Sequence, residues 1–187
     1  MTEPMPVHAP HFDTGPLSWV VGEIRDALER SSKALQDAAG RTPEAQPTLL
    51  LHAKSHLHQA HGALQMVDVH GVEHLTGNAE QALDRFKDGS LALDAVRAGV
   101  VDEAYRALVD YLEELLHGGR QQPVRLFPYY RALQELLGAE RVHPGAMLAL
   151  DLLPALLPGG AAGPAPDYAA SRAQFEKALL FFLRSTD

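Results

Sequence analysis

Cysteine is absent from the 187 residues, which excludes disulfide staples, thiol nucleophiles, iron–sulfur clusters and zinc sites built on thiolates. Positive charge is scarce: 16 Lys and Arg stand against 24 Asp and Glu, a formal net charge of -8 with His neutral. Such a chain lacks the basic surface that displaces counterions from nucleic acid or binds anionic lipid, so neither partner is expected. Long apolar runs are missing as well. The longest, Ala146 to Leu157, is broken by Asp151 and Pro154 and is too short to span a bilayer. Residues 1–16 hold four prolines without a basic start and an apolar core, and read as a disordered tail rather than a secretory signal. A cytoplasmic location is expected. No Gly-rich phosphate loop and no Gly-x-Ser-x-Gly turn occurs, so the chain carries no nucleotide site or hydrolase nucleophile, and no cofactor is expected.

What is present is helical periodicity. Leu17, Val20, Val21, Ile24, Leu28 and Leu35 fall on one stripe of a first helix that Gly40 and Pro43 end. Trp19, the single Trp, is expected to pack at its start. A second helix from Pro47 to Val69 would bury Leu50, Ala53, Leu57, Ala60, Leu64 and Val67, with Pro47 in the first turn, where its missing N–H costs nothing. A third, Val72 to Phe86, uses Val72, Leu75, Ala79, Leu83 and Phe86. A fourth, Leu91 to His117, turns Leu93, Val96, Val100, Ala104, Leu108, Tyr111 and Leu115 inward and stops at Gly118-Gly119. No segment alternates with a period of two for long enough to make a strand. The expected fold class is all-α: an antiparallel four-helix bundle over residues 17–119 with a helical extension over 120–187.

The extension should begin with a helix from Pro123 to Leu137 that faces Val124, Phe127, Tyr130, Leu133 and Leu137 inward. One or two further turns fit between His143 and Leu153, followed by a Pro/Gly/Ala linker over 154–166. Asp167 is a plausible N-cap for a last helix ending near Arg184, its apolar Leu179 to Leu183 turn packing on the bundle or leading into a further domain.

Ten histidines are the unusual excess, and six (His52, His56, His58, His61, His70 and His74) fall in one short stretch. Helical phase separates them. His58 follows the core residue Leu57 and lies about 100° from it, on a polar face with Lys54, His61, Gly62 and Gln65. His52/His56 and His70/His74 are i, i+4 pairs able to chelate one ion, but no His-Glu-x-x-His or convergent carboxylate accompanies them. Gly62 is the telling residue. A mid-helix Gly costs about 0.5–1 kcal/mol against Ala, and here it leaves a flat patch one turn above His58. An exposed neutral imidazole, a donor three residues on and a bare surface at the fourth suit a phosphoryl acceptor approached closely by a partner.

His58-Gln59-Ala60-His61-Gly62 resembles the His-x-x-Lys/Arg-Gly core of histidine-phosphotransfer (Hpt) domains. The longer strings Leu57 to Val67, Leu17 to Val20 and Gly118 to Pro128 look like the N-terminal region of PilL/ChpA-type chemosensory hybrid histidine kinases, which control type IV pilus twitching motility, and of FimL-related proteins. The resemblance implies a two-component, CheA-type system. A kinase catalytic domain of the same full-length protein would phosphorylate His58, which would pass the group to a response-regulator receiver domain. His58 matches the phosphoacceptor, and Gly62 with Gln65 the receiver-docking positions. His61 and Lys54 would support the phosphoryl oxygens, with His61 standing where the family has Lys or Arg; a neutral imidazole is a weaker phosphate partner than a fixed cation. Two other expectations stand beside phosphotransfer. One is a degenerate, pseudo-Hpt module contacting pilus or polar hub proteins without being phosphorylated; the other is a metal-binding helical bundle.

Overall fold

The computed structural model describes residues 13–67, 69–147, 172 and 174–177, and all regular structure among them is helical. Helix α1 spans Thr14–Ala39, α2 Gln46–Leu64, α3 Val72–Lys87 and α4 Ala95–Leu116. A 3-10 turn at Pro123–Leu126 leads into α5, Phe127–Leu136, and a second such turn covers Pro144–Met147.

The helix starts follow from capping chemistry. Asp13 accepts a hydrogen bond from the Gly15 N–H at 2.9 Å, so α1 begins inside the expected tail and takes in Pro16. Residues 1–12 lie outside the described residues. Asp94, in extended backbone, accepts from the Arg97 N–H at 2.8 Å and starts α4 four residues later than the periodicity predicts. Helix α2 ends at Leu64 rather than Val69. Gly71, at a left-handed φ of 83°, then turns the chain into α3. A Cβ at Gly71 would stand 2.6 Å from Cβ of Pro123, so this corner requires Gly for its close approach as well as its φ.

One core joins these elements. Leu17, Ile24, Leu28 and Leu35 meet Leu50, Leu57 and Leu64, Leu75, Leu83 and Phe86, and Leu108, Leu112 and Leu115. Each fully buried Leu contributes about 1.5–3 kcal/mol of transfer free energy. Arg25 pairs with Glu113 and Ser32 with Asp102, so α1 and α4 run antiparallel. Between them Ser31 Oγ donates to the Ala53 carbonyl at 2.8 Å and lies 3.1 Å from the Tyr105 hydroxyl. Burial pushes the Tyr105 phenol well up.

Three expected inward residues face solvent instead. Trp19 is 89% exposed, because it sits about 200° around α1 from Leu17. Val96 is exposed in the first turn of α4, where Ala98 and Val101 are the buried residues, while Ala104, Leu108, Tyr111 and Leu115 are buried as expected. Val124 lies in the 3-10 turn, where Leu126 is the buried residue.

Residues 120–147 share this core rather than standing apart from it. Leu126, Leu133, Leu137 and Met147 are buried, and Arg85 donates to the Leu137 carbonyl at 2.8 Å. The chain divides after Ala149, not at residue 119. In the second unit, Leu150–Asp187, Arg172 and residues 174–177 are helical, with Arg172 paired to Glu176 at 2.8 Å. The linker over 154–166 and the Leu179 to Leu183 turn lie outside the described residues.

Candidate functional site

Leu57 and Ala60 are wholly buried, and this fixes the rotation of α2 about its axis. His58, one residue beyond Leu57, is thereby turned out, with its side chain 75% exposed. Helix α3 runs antiparallel beside it, and the two helices join along a polar seam. Lys54 Nζ bonds Asp84 Oδ2 at 2.6 Å, His58 Nδ1 meets Glu80 Oε1 at 3.2 Å, and His61 Nδ1 meets Thr76 Oγ1 at 2.7 Å. The α3 partners recur every four residues, one per turn, which keeps them on one face.

The hydrogen bonds assign the proton positions. A carboxylate only accepts, so His58 donates from Nδ1–H to Glu80. In the neutral ring Nε2 then carries the lone pair, and it has no hydrogen-bond partner among the described residues on a side chain that is largely exposed. The Glu80 side chain is only 22% exposed and holds the ring in this tautomer. An oriented imidazole with its other nitrogen free is a nucleophile ready for an electrophile brought by a partner.

His61 is placed differently. The Thr76 hydroxyl gives its proton to the Val72 carbonyl at 3.0 Å, so it accepts from His61 Nδ1–H. Gln65 Nε2 then donates to His61 Nε2 at 3.1 Å. Both ring nitrogens of His61 are therefore engaged in this arrangement, and the ring is half-buried. Lys54 is also committed. Its hydrogen bond holds the Asp84 carboxyl below its ordinary range, aided by Lys87 at 3.3 Å. Instead of lying on an open stripe, Lys54 and His61 border the α3 seam, while Gln65 is exposed just past the end of α2.

Gly62 is exposed, and a Cβ there would meet no atom within 4 Å. Side chains on a helix lean toward its N-terminus, so any residue at 62 would lie over His58. The bare surface therefore uncovers the imidazole.

The remaining histidines do not converge. His56 Nδ1 faces Gln59 at 3.4 Å, and His74 Nε2 lies 3.6 Å from Glu73. Among the described residues no three His, Cys, Asp or Glu side chains are grouped to hold a metal ion. No helix there is long and apolar enough to cross a membrane.

Glu80 is the partner of His58 that sequence reasoning missed. The four-residue spacing of Thr76, Glu80 and Asp84 puts them on one face of α3, but their pairing with Lys54, His58 and His61 is set by the register of the two helices. Comparison with protein-family models, with curated proteins and with solved structures gives no match to this chain.

Proposed function

We propose that this chain is a cytoplasmic histidine-phosphotransfer module of a CheA-type two-component system, with α1–α4 read as an antiparallel four-helix Hpt-like bundle. The observation that carries the reading is the His58 imidazole, largely exposed and held at Nδ1 by Glu80. In the forward step the Nε2 lone pair attacks the terminal phosphorus of ATP held by a separate kinase domain. An N–P bond forms as the P–O bond to ADP breaks, and the Glu80 carboxylate faces the positive charge gained by the ring. In the second step a receiver aspartate oxygen attacks that phosphorus, the N–P bond breaks, and the imidazole returns neutral. No proton has to leave Nδ1 in either step. The resemblance to PilL/ChpA-type kinases is what supports reading the module into the control of type IV pilus twitching motility. The kinase domain then belongs to the same full-length protein.

A second reading has its own support. His61 and Lys54 are both occupied by α3 partners, which leaves no free cation of α2 beside His58. A pseudo-Hpt contact module, docking pilus or polar hub proteins without phosphorylation, uses the same exposed face.

Labelled ATP, a CheA-type kinase domain and a receiver domain distinguish the two. Label reaching this chain first and then moving to the receiver supports phosphotransfer, and an unlabelled chain beside an active kinase supports the contact module. Gly62→Ala sharpens the comparison. It should stabilise the fold by about 0.5–1 kcal/mol in urea unfolding, since Ala is the better helix former and has room. It should also slow transfer to the receiver by placing a methyl group over His58. A more stable variant with unchanged transfer would remove the docking role of Gly62.

A further inference from the structure

The seam between α1 and α4 lies across the core from the α2–α3 seam that carries His58. It opens into a cavity of about 460 Å³ lined on its apolar side by Leu28, Tyr105 and Val109. Asp102 also lines it, and this is the one buried charged residue among the described residues. A carboxylate is costly to bury unless its oxygens are matched. Asp102 accepts a hydrogen bond from Ser32 Oγ and forms an ion pair with Arg106 at 2.5 Å. The Arg106 side chain is itself 75% exposed and lines the same cavity. The pair therefore fixes the guanidinium in place and leaves further N–H donors for a ligand.

Charge is laid out along the cavity in a pattern that both helices repeat. Glu29 precedes Lys33 by four residues on α1, and Arg106 precedes Asp110 by four on α4. Each spacing allows an ion pair within its helix, but neither closes. Arg106 reaches back to Asp102, and Glu29, Lys33 and Asp110 have no hydrogen-bond or ion-pair partner among the described residues. The helices run antiparallel, and the Ser32–Asp102 bond sets their level. Lys33 and the guanidinium held by Asp102 thus lie toward one end. Glu29 and Asp110 lie toward the other, on the side of Arg25, whose charge Glu113 already matches. An open cationic end and an open anionic end result, separated by about 6 Å along α1 at the helical rise.

We infer that this cavity binds a small zwitterion, a dipeptide with apolar side chains, its carboxylate at Lys33 and Arg106 and its ammonium at Glu29 and Asp110. An extended chain advances about 3.3–3.6 Å per residue, so two residues span the charged ends and a single amino acid falls short. The apolar side chains cover Leu28, Tyr105 and Val109, and the volume lies within the ~300–1,000 Å³ of small-molecule sites. A zwitterion satisfies both ends at once, whereas a simple anion or cation faces like charge at one of them. The inference is independent of what His58 does.

Isothermal calorimetry of the full chain with leucylleucine tests the site. Binding should weaken at least about tenfold for N-acetyl-leucylleucine, for leucylleucine amide and for free leucine, since each lacks one charged end or the span. Lys33→Glu and Asp110→Lys alter exposed positions, so their melting should match wild type. Each should raise the Kd for leucylleucine at least about tenfold. His58→Gln, across the core, should bind leucylleucine as wild type does. No binding of leucylleucine by the folded chain, or equal binding of the capped dipeptides, would overturn the inference. So would an affinity indifferent to both Lys33→Glu and Asp110→Lys. Binding lost in His58→Gln would put the dipeptide at the other seam and overturn it as well. If either charge variant fails to fold, the capped dipeptides put the same question to the unaltered chain.

Discussion

Replacing Glu80 with Ala is expected to slow phosphoryl gain at His58 by about 10²-fold, the lower end of what positioned acid–base groups contribute. The carboxylate is the sole hydrogen-bond partner of the ring among the described residues, so its loss frees the imidazole to rotate and to exchange tautomers. Molecules in the other tautomer would then present N–H rather than a lone pair at Nε2, and the charge facing the phosphorylated ring would be gone. In the phosphotransfer reading we propose, Glu80 acts through His58 and is a positioning residue. Glu80→Gln keeps an oxygen acceptor for Nδ1–H without the charge, and should recover part of the rate. Initial rates of labelling, with melting curves beside them, make the check. Equal labelling of wild type and Glu80→Ala would mean that the exposed imidazole needs no orienting partner.

Leu57→Ala is expected to cost about 2–5 kcal/mol of unfolding free energy, the range for a buried Leu truncated in a packed core. Leu57 is wholly buried in a helix packed against α1 and α3, so the cavity opens in the shared core of these helices. The adjacent substitution His58→Ala removes an exposed side chain and should change stability by no more than about 0.5 kcal/mol. Urea unfolding of the two variants measures the contrast directly. A Leu57→Ala cost below about 1 kcal/mol would show that core burial does not set the rotation of α2.

The stripe that exposes His58 was legible because apolar residues at helical spacing leave little choice of face: Leu50, Ala53, Leu57, Ala60 and Leu64 are all buried as expected. Errors arose where a cap sets a helix boundary that the stripe alone does not mark. Asp94 moved the start of α4, and Val96, read as core, turned outward. Trp19 misled through its size, since a lone Trp invites burial while its angular position opposes it. In the candidate site, the exposure of His58 and Gly62 was legible. His58 and Gly62 announce themselves by phase and by the cost of a mid-helix Gly, whereas Glu80 depends on which residue of α3 lies opposite. That register follows from packing two antiparallel helices and from no local pattern in either. The half-buried state of His61 and Lys54 has the same origin, because their partners Thr76 and Asp84 come from α3.

The central claim is that His58 accepts the phosphoryl group. Its most direct test is incubation of the chain and its His58→Gln variant with a CheA-type kinase domain and labelled ATP. Wild type should acquire acid-labile, base-stable label, the signature of an N–P bond, and the variant should acquire none. Label of equal amount and stability on the His58→Gln variant, or none on wild type beside an active kinase, would contradict the claim.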